Sequence, residues 1–210
     1  PARPVAMKPT ARTLFVLVPG ILGFGWEWDK PIARLRARDD LDFVVFWWTP
    51  YVSQTKGGAE MHAVLTRLLA MAQVETLIVV AHSVGGLIAV EGLRDLEVPE
   101  GKQLEIVTIG APFGGMNLAP MYSMNPRGTP LILATVGQFD SHVAPPARAR
   151  VVAYVTKYPP DPVMRPWFGR SPADPRWDPP GTERVTLRGP DDHNEIVDYV
   201  FVDLFERLAR

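Results

Sequence analysis

Residues 76–91 read TLIVVAHSVGGLIAVE, and this stretch decides the fold. The apolar run after Thr76 predicts a buried strand over Thr76–Ala81, and the residues after Ser83 favour a helix over Val84–Leu96. Ser83 would then lie in the turn between strand and helix, with its Oγ above the carboxyl edge of a sheet. The small residues Ala81 and Gly85 would let strand and helix pass closely. A helix-capping serine is the alternative interpretation.

Further apolar runs of strand length lie on both sides of this unit. The predicted strands are 14–18, 41–48, 76–81, 104–109, 151–156 and 183–187, and the other helical patterns are 28–38, 60–72 and 196–208. This alternation predicts an α/β fold with a mostly parallel six-stranded sheet and helices on both faces. Two segments without sheet character follow strands, 112–147 and 158–182, and are predicted to form a small cap at the carboxyl edge. Residues 1–12 read as an N-terminal leader, and 13–210 as a single domain.

The composition excludes several classes of function. The 210 residues include 22 Lys+Arg and 23 Asp+Glu, and a net charge of −1 gives no electrostatic basis for binding nucleic acid. With 0 cysteines there is no thiolate metal site and no cysteine nucleophile. Histidines and acidic residues do not cluster at ligand spacing, so we expect neither metal nor cofactor. No apolar run approaches the ~20 residues of a transmembrane helix.

The localisation and the oligomeric state stay open at this point. The first residue is Pro1 rather than methionine, so a removed signal peptide remains compatible with the sequence. A chain without cysteine tolerates either redox compartment.

A serine nucleophile needs a base, and His193 is the best candidate among the four histidines. It lies in the loop between the last predicted strand and the last helix, and such a loop emerges at the carboxyl edge of the sheet. His142 is its rival, while His62 lies within a predicted helix. His82 is adjacent to Ser83 in an extended segment, so its side chain points to the other side of the chain.

The acid that orients the base is expected between Ser83 and His193 in this chain order. Asp161 follows the fifth predicted strand, and the prolines on either side of it stiffen the loop. Asp140 is the alternative acid.

An oxyanion hole needs two backbone donors. We expect one from Val84, directly after the nucleophile, and the other from Ile21, with Leu22 as the alternative. Ile21 and Leu22 belong to the loop after the first strand, where Gly20 and Gly23 allow the backbone to approach the site closely.

The carboxyl edge also receives many large apolar side chains. We expect a substrate pocket lined by Leu22, Phe24, Trp26, Phe113 and Met116. The tryptophans after the first two strands, including Trp28, Trp47 and Trp48, either close the core or line an apolar pocket or a lipid-contacting rim.

Three motifs together resemble those of the α/β-hydrolase superfamily, serine lipase/esterase type. They are VPGILG at 18–23, AHSVGG at 81–86 and GAPFGG at 110–115, and they look closest to the lecithin:cholesterol acyltransferase-like and small bacterial lipase branch. Ala81 stands where the usual G-x-S-x-G pattern has its first glycine. The resemblance implies a Ser–Asp–His triad that hydrolyses small-molecule or lipid esters through an acyl-enzyme. An acyltransferase and a non-catalytic interaction module with this fold are the alternatives.

Overall fold

The computed structural model describes residues 7–20, 25–48, 54–114, 143–156, 175–187 and 195–209. These residues form one six-stranded sheet in which every neighbouring pair of strands is parallel. The strands are β1 Thr13–Val18, β2 Leu41–Val45, β3 Thr76–His82, β4 Gln103–Ile109, β5 Ala149–Thr156 and β6 Glu183–Leu187, and the helices are α1 Asp29–Arg36, α2 Gln54–Leu69, α3 Val84–Glu91 and α4 Glu195–Leu208. The predicted α/β fold class is therefore confirmed.

The strand order reverses direction at β1. The order is β2-β1-β3-β4-β5-β6, so the chain leaves β1 in one direction to form β2 and then crosses to the other side to form β3. In open parallel sheets, ligands bind outside the carboxyl ends of the strands at such a reversal. The register places Val18 beside Ala81, and His82 beside Ile109, at this edge.

The central strands are buried on both faces because helices cover both. In β1, Leu14, Val16 and Val18 pack into the core shared with α2 and α3. Phe15 and Leu17 point the other way, into the core shared with α1 and α4. Burial on both faces explains why these strands read as continuous apolar runs rather than as alternating patterns.

Several element boundaries differ from the predictions. Strand β2 ends at Val45 rather than at residue 48, and its pairing with β1 ends there, at Leu17 and Val45. Helix α3 ends at Glu91, five residues before the predicted end. Helix α2 begins at Gln54, six residues before the predicted start, and includes Gly57, where an added Cβ would lie 2.7 Å from Ile88 Cδ1. Gly57 thus lies where α2 packs on the Ile88 side chain of α3.

The structure describes part of the predicted leader and part of the two predicted cap segments. Residues 7–12 contact the sheet: the Lys8 backbone N–H donates to Asp42 Oδ2 at 2.7 Å, and Gln73 Nε2 donates to the Ala11 carbonyl oxygen at 2.9 Å. The leader, the single-domain boundary and the cap stay predictions, because much of 112–147 and 158–182 lies outside the described residues. Within the described part of the chain, no helix is long and apolar enough to cross a membrane.

Candidate active site

Ser83 occupies a backbone conformation that few residues adopt. It joins β3 to α3 with φ 54° and ψ −129°. Positive φ costs a non-glycine residue free energy, and such conformations persist only where the surrounding structure enforces them, often at active sites. Here the Ser83 N–H donates to the Ile109 carbonyl oxygen at 2.8 Å, and the Gly86 N–H donates to the Ser83 carbonyl oxygen at 2.9 Å. The turn is therefore held from both sides.

Small residues bring three segments against this turn. A Cβ on Gly85 would lie 2.5 Å from the Pro19 carbonyl oxygen, and one on Gly86 would lie 2.6 Å from Ala111 Cβ. A Cβ on Gly20 would lie 3.0 Å from Ser83 Cβ. Only glycine therefore lets α3 begin this close to the end of β1. The same close approach is what brings the loop after β1 to the serine.

The Ser83 hydroxyl does not serve as a helix cap. Although Ser83 is the N-cap residue of α3, its side chain makes no capping hydrogen bond. The capping alternative raised by the sequence is therefore wrong for this serine. The first turn of α3 begins at Val84, and its backbone N–H groups and positive dipole end lie beside the serine. Developing negative charge at this position would be stabilised.

His82 lies on the inner side of the turn. It is 3% exposed, and its Nδ1 would be 3.5 Å from a Cβ on Gly20. Its side chain therefore contacts the loop after β1 rather than solvent. The prediction that His82 points to the other side of the chain from the nucleophile stays a prediction.

Several predicted site residues lie outside the described residues. These are Ile21, Leu22, Phe24, Met116, Asp140, His142, Asp161 and His193. The elements that flank the predicted acid and base are described: β5 ends at Thr156, and α4 begins at Glu195. Because β3, β5 and β6 are parallel, the chain leaves β5 and β6 at the sheet edge that holds Ser83.

The aromatic residues at this edge divide into buried and exposed groups. Trp28 is 1% exposed and packs edge-on against Phe201 in the core, with ring centroids 6.1 Å apart. Phe113 is 4% exposed, whereas Trp26 is 56% exposed. The assignment of Phe113 and Trp26 to a substrate pocket stays a prediction.

Trp48 makes a specific contact that its sequence pattern does not predict. Its Nε1 donates a hydrogen bond of 2.8 Å to the Pro19 carbonyl oxygen, 29 residues earlier in the chain. The available signal was the position of this indole, shortly after the strand that neighbours β1. Nothing in the local pattern distinguishes its N–H from that of the adjacent Trp47, which is 61% exposed.

The sequence matches no protein-family model, and no curated protein matches it. Solved structures do resemble it. Bacillus licheniformis lipase BlEst2 aligns with a TM-score of 0.66 and 16% identity over 95% of this chain and 51% of the lipase. A carboxylesterase of the thaumarchaeon Nitrososphaera gargenis aligns with a TM-score of 0.60 and 15% identity, over 95% and 91% of the two chains.

A third similar structure is YbtT, a type II thioesterase from the yersiniabactin biosynthetic pathway. It aligns with a TM-score of 0.58 and 16% identity, over 98% of this chain and 95% of the thioesterase. Together with the parallel sheet and the strand–serine–helix turn, these likenesses show that the chain has the α/β-hydrolase fold.

Proposed function

We propose that this protein is a serine carboxylic-ester hydrolase of lipase or esterase type. The observation that carries the proposal is the turn at Ser83, where a serine holds positive φ beside a helix N-terminus and leaves its hydroxyl out of the cap. A structural turn gains nothing from that strain, whereas a nucleophile gains an Oγ that is kept out of the helix cap and next to the backbone N–H groups at the start of α3.

The proposed reaction proceeds through an acyl-enzyme. Ser83 Oγ attacks the ester carbonyl carbon while His193 accepts the hydroxyl proton, and Asp161 orients and stabilises the resulting imidazolium. The backbone N–H groups of Val84 and Ile21 stabilise the oxyanion, with Leu22 as the alternative donor. His193 then protonates the leaving alcohol. Water, activated by the same base, resolves the acyl-enzyme to a carboxylic acid and the free enzyme.

The substrate class we propose is lipid or other acyl esters. The proposed acyl site is apolar and consists of Trp26 and Phe113 together with Leu22, Phe24 and Met116, all of which follow β1 or β4 in the sequence. Contact with a lipid interface belongs to the same proposal. Since the structural neighbours include a lipase, a carboxylesterase and a thioesterase, a substrate panel for this protein should contain both oxygen esters and thioesters.

Covalent labelling tests the nucleophile directly. The wild-type protein should react with a fluorophosphonate probe and hydrolyse a chain-length series of p-nitrophenyl esters. Ser83→Ala should abolish both while the protein still unfolds cooperatively, because only the attacking oxygen is removed. Peptide mapping of the labelled protein should find the probe on Ser83. Labelling that persists in the variant at another serine would contradict the assignment.

A matched pair of variants tests the acid. Asp161→Asn should lower kcat by orders of magnitude, because the neutral amide neither holds the imidazole in the correct tautomer nor stabilises the imidazolium. Asp140→Asn should have a far smaller effect. The reverse ranking would assign the acid to Asp140.

Product analysis separates the proposal from its alternatives. A hydrolase releases mainly the free acid, whereas an acyltransferase of the lecithin:cholesterol acyltransferase type yields a new ester when an alcohol acceptor is present. A non-catalytic interaction module would neither label nor turn over any member of the panel.

A further inference from the structure

The carbonyl group of Pro19 is held between two elements of the fold. On one side, Trp48 Nε1 donates to its oxygen at 2.8 Å. On the other side lies the first turn of α3, where a Cβ on Gly85 would be 2.5 Å from the same oxygen. The carbonyl therefore has little freedom to rotate, and one specific hydrogen bond sets its direction.

The direction of this carbonyl sets the position of the next residue. The peptide unit is planar, so fixing the Pro19 carbonyl also fixes the N–H and the Cα of Gly20. Gly20 lies against the nucleophile, since its Cβ would be 3.0 Å from Ser83 Cβ. The segment that begins here is the one expected to supply the second oxyanion donor, Ile21.

Trp48 is itself well anchored. Two residues before it, the Phe46 N–H donates to the Leu17 carbonyl oxygen at 2.9 Å, which continues the pairing of β2 with β1. Both Phe46 and Trp48 are partly buried and pack against the core formed with α2 and α3. The indole N–H is thus presented to Pro19 from a segment that is anchored to β1 and the core just after β2 ends.

We propose that Trp48 is a positioning residue for the oxyanion hole, an inference that rests on the proposed function. Trp48 acts through the Pro19 carbonyl and does not touch the substrate. Its hydrogen bond holds the Pro19–Gly20 peptide against Ser83, at the start of the sequence segment proposed to supply the donor that meets the oxyanion as negative charge develops. Because the oxyanion forms only along the reaction path, this role affects the transition state more than the bound ester.

The test compares two tryptophan-to-phenylalanine variants. Trp48→Phe removes the donor and keeps an aromatic ring. Trp28→Phe removes the same atoms from a buried indole whose Nε1 has no hydrogen-bond partner among the described residues. Both lose packing, but only the first loses a hydrogen bond to the loop. Active-site titration with the fluorophosphonate gives kcat per competent site, so partial unfolding does not enter the comparison.

Three kinetic readouts are measured with a soluble p-nitrophenyl ester. Trp48→Phe should lower kcat by about 10- to 100-fold, the cost of misplacing a reacting or stabilising group by about an ångström, with KM changed by less than about twofold. Its affinity for a trifluoromethyl ketone, whose adduct carries an oxyanion, should fall by a similar factor. Trp28→Phe should lower the midpoint of thermal unfolding and keep kcat within about threefold.

A third variant keeps the test decisive if Trp48→Phe folds poorly. Trp48→His is smaller and less apolar but retains a ring N–H, so it should have a higher kcat than Trp48→Phe even where it is less stable. If kcat instead follows stability across all three variants, Trp48 is only a packing residue and the inference fails. A wild-type protein that neither labels at Ser83 nor hydrolyses esters would contradict the proposed function itself, which is a different result.

Discussion

At the scale of single residues, Ser83 is a strained residue whose surroundings stabilise an unfavourable conformation. A positive φ of 54° costs roughly 1–3 kcal/mol for a residue with a side chain. The compensation comes from the backbone hydrogen bond to Ile109 and from glycines that allow the chain to pack tightly around the turn. The strain and its support are inseparable, so disturbing a supporting glycine should disturb the serine.

Gly85→Ala tests that dependence. The new Cβ would meet the backbone oxygens of Val18 and Pro19 at 2.8 and 2.5 Å, and backbone atoms cannot yield as a side-chain tip can. We expect a loss of about 1–3 kcal/mol in the free energy of unfolding, measured by chemical denaturation. We also expect a lower kcat, since α3 and the loop after β1 must separate.

Gly57→Ala is the matched control for this substitution. Its Cβ would meet only the Cδ1 end of Ile88, at 2.7 Å, and alanine is the better helix former within α2. Stability and kcat should both stay close to those of the wild type. Wild-type stability and activity in Gly85→Ala would show that the turn tolerates wider spacing than the structure indicates.

At the scale of elements, α4 is tied to the sheet by a network of polar side chains. Tyr154 on β5 donates a hydrogen bond to Asp203 on α4, and Arg207 donates to Glu105 on β4 at 3.0 Å. The first turn of α4 contacts α1 through an ion pair in which Arg34 Nη2 on α1 lies 3.3 Å from Asp198 Oδ1 on α4. This anchoring matters for the proposed site because α4 begins two residues after His193.

Tyr154→Phe should cost about 1 kcal/mol of unfolding free energy at pH 8, the usual net value of one hydrogen bond. Burial and then the hydrogen bond to Asp203 raise the pKa of Tyr154 above its ordinary value. A group whose pKa is raised on folding stabilises the protein fully below the unfolded pKa, about 10 for tyrosine, and loses that contribution as pH rises further.

The raised pKa of Tyr154 can be tested by measuring stability at two pH values. Chemical denaturation of wild type and Tyr154→Phe at pH 8 and above pH 10 should show the stability gap between them narrowing at the higher pH. A gap that stays constant across this range would mean that Tyr154 ionises equally easily in the folded and unfolded chains.

At the scale of the whole molecule, the strands that precede the proposed reactive groups in the chain all end at one edge of the parallel sheet. Strand order puts the ends of β1 and β3 side by side, and the loops after β5 and β6 leave the same edge. A single active-site edge of this kind needs a wall to exclude water and to bind the acyl chain. The sequence of 158–182 contains Met164, Trp167 and Phe168 together with many prolines, which suits such a wall.

The expected kinetic consequence is little activation at a lipid–water interface. Prolines lower the conformational entropy of a loop before substrate binds, so we predict a preformed groove rather than a lid that must open. The rate should therefore follow a smooth saturation curve as the ester concentration crosses its solubility limit. A sharp rise at the onset of the emulsion would favour a moving lid.

Much of the fold could be predicted because its signals are local. The apolar runs at 14–18, 76–81 and 104–109 match strands to within a residue or two, since a strand covered on both faces must be apolar throughout. The turn at Ser83 was predicted for the same reason, as a strand, a serine and two glycines are adjacent in the chain. The acid and the base are assigned by chain order and by the loops in which they lie, and both stay predictions.

What the sequence by itself determined is the set of strands and helices, their parallel arrangement and the serine at the head of α3. The tertiary structure decided where β2 ends, how far α2 extends along α3, and which of two adjacent tryptophans donates a hydrogen bond to Pro19 after β1. Trp47 and Trp48 are adjacent residues of the same type, yet the Trp47 side chain is 61% exposed and the Trp48 indole donates a hydrogen bond to Pro19. The physical reason is range: apolar periodicity acts between neighbours in the chain, whereas a hydrogen bond across 29 residues exists only once the sheet has aligned β1 with β2.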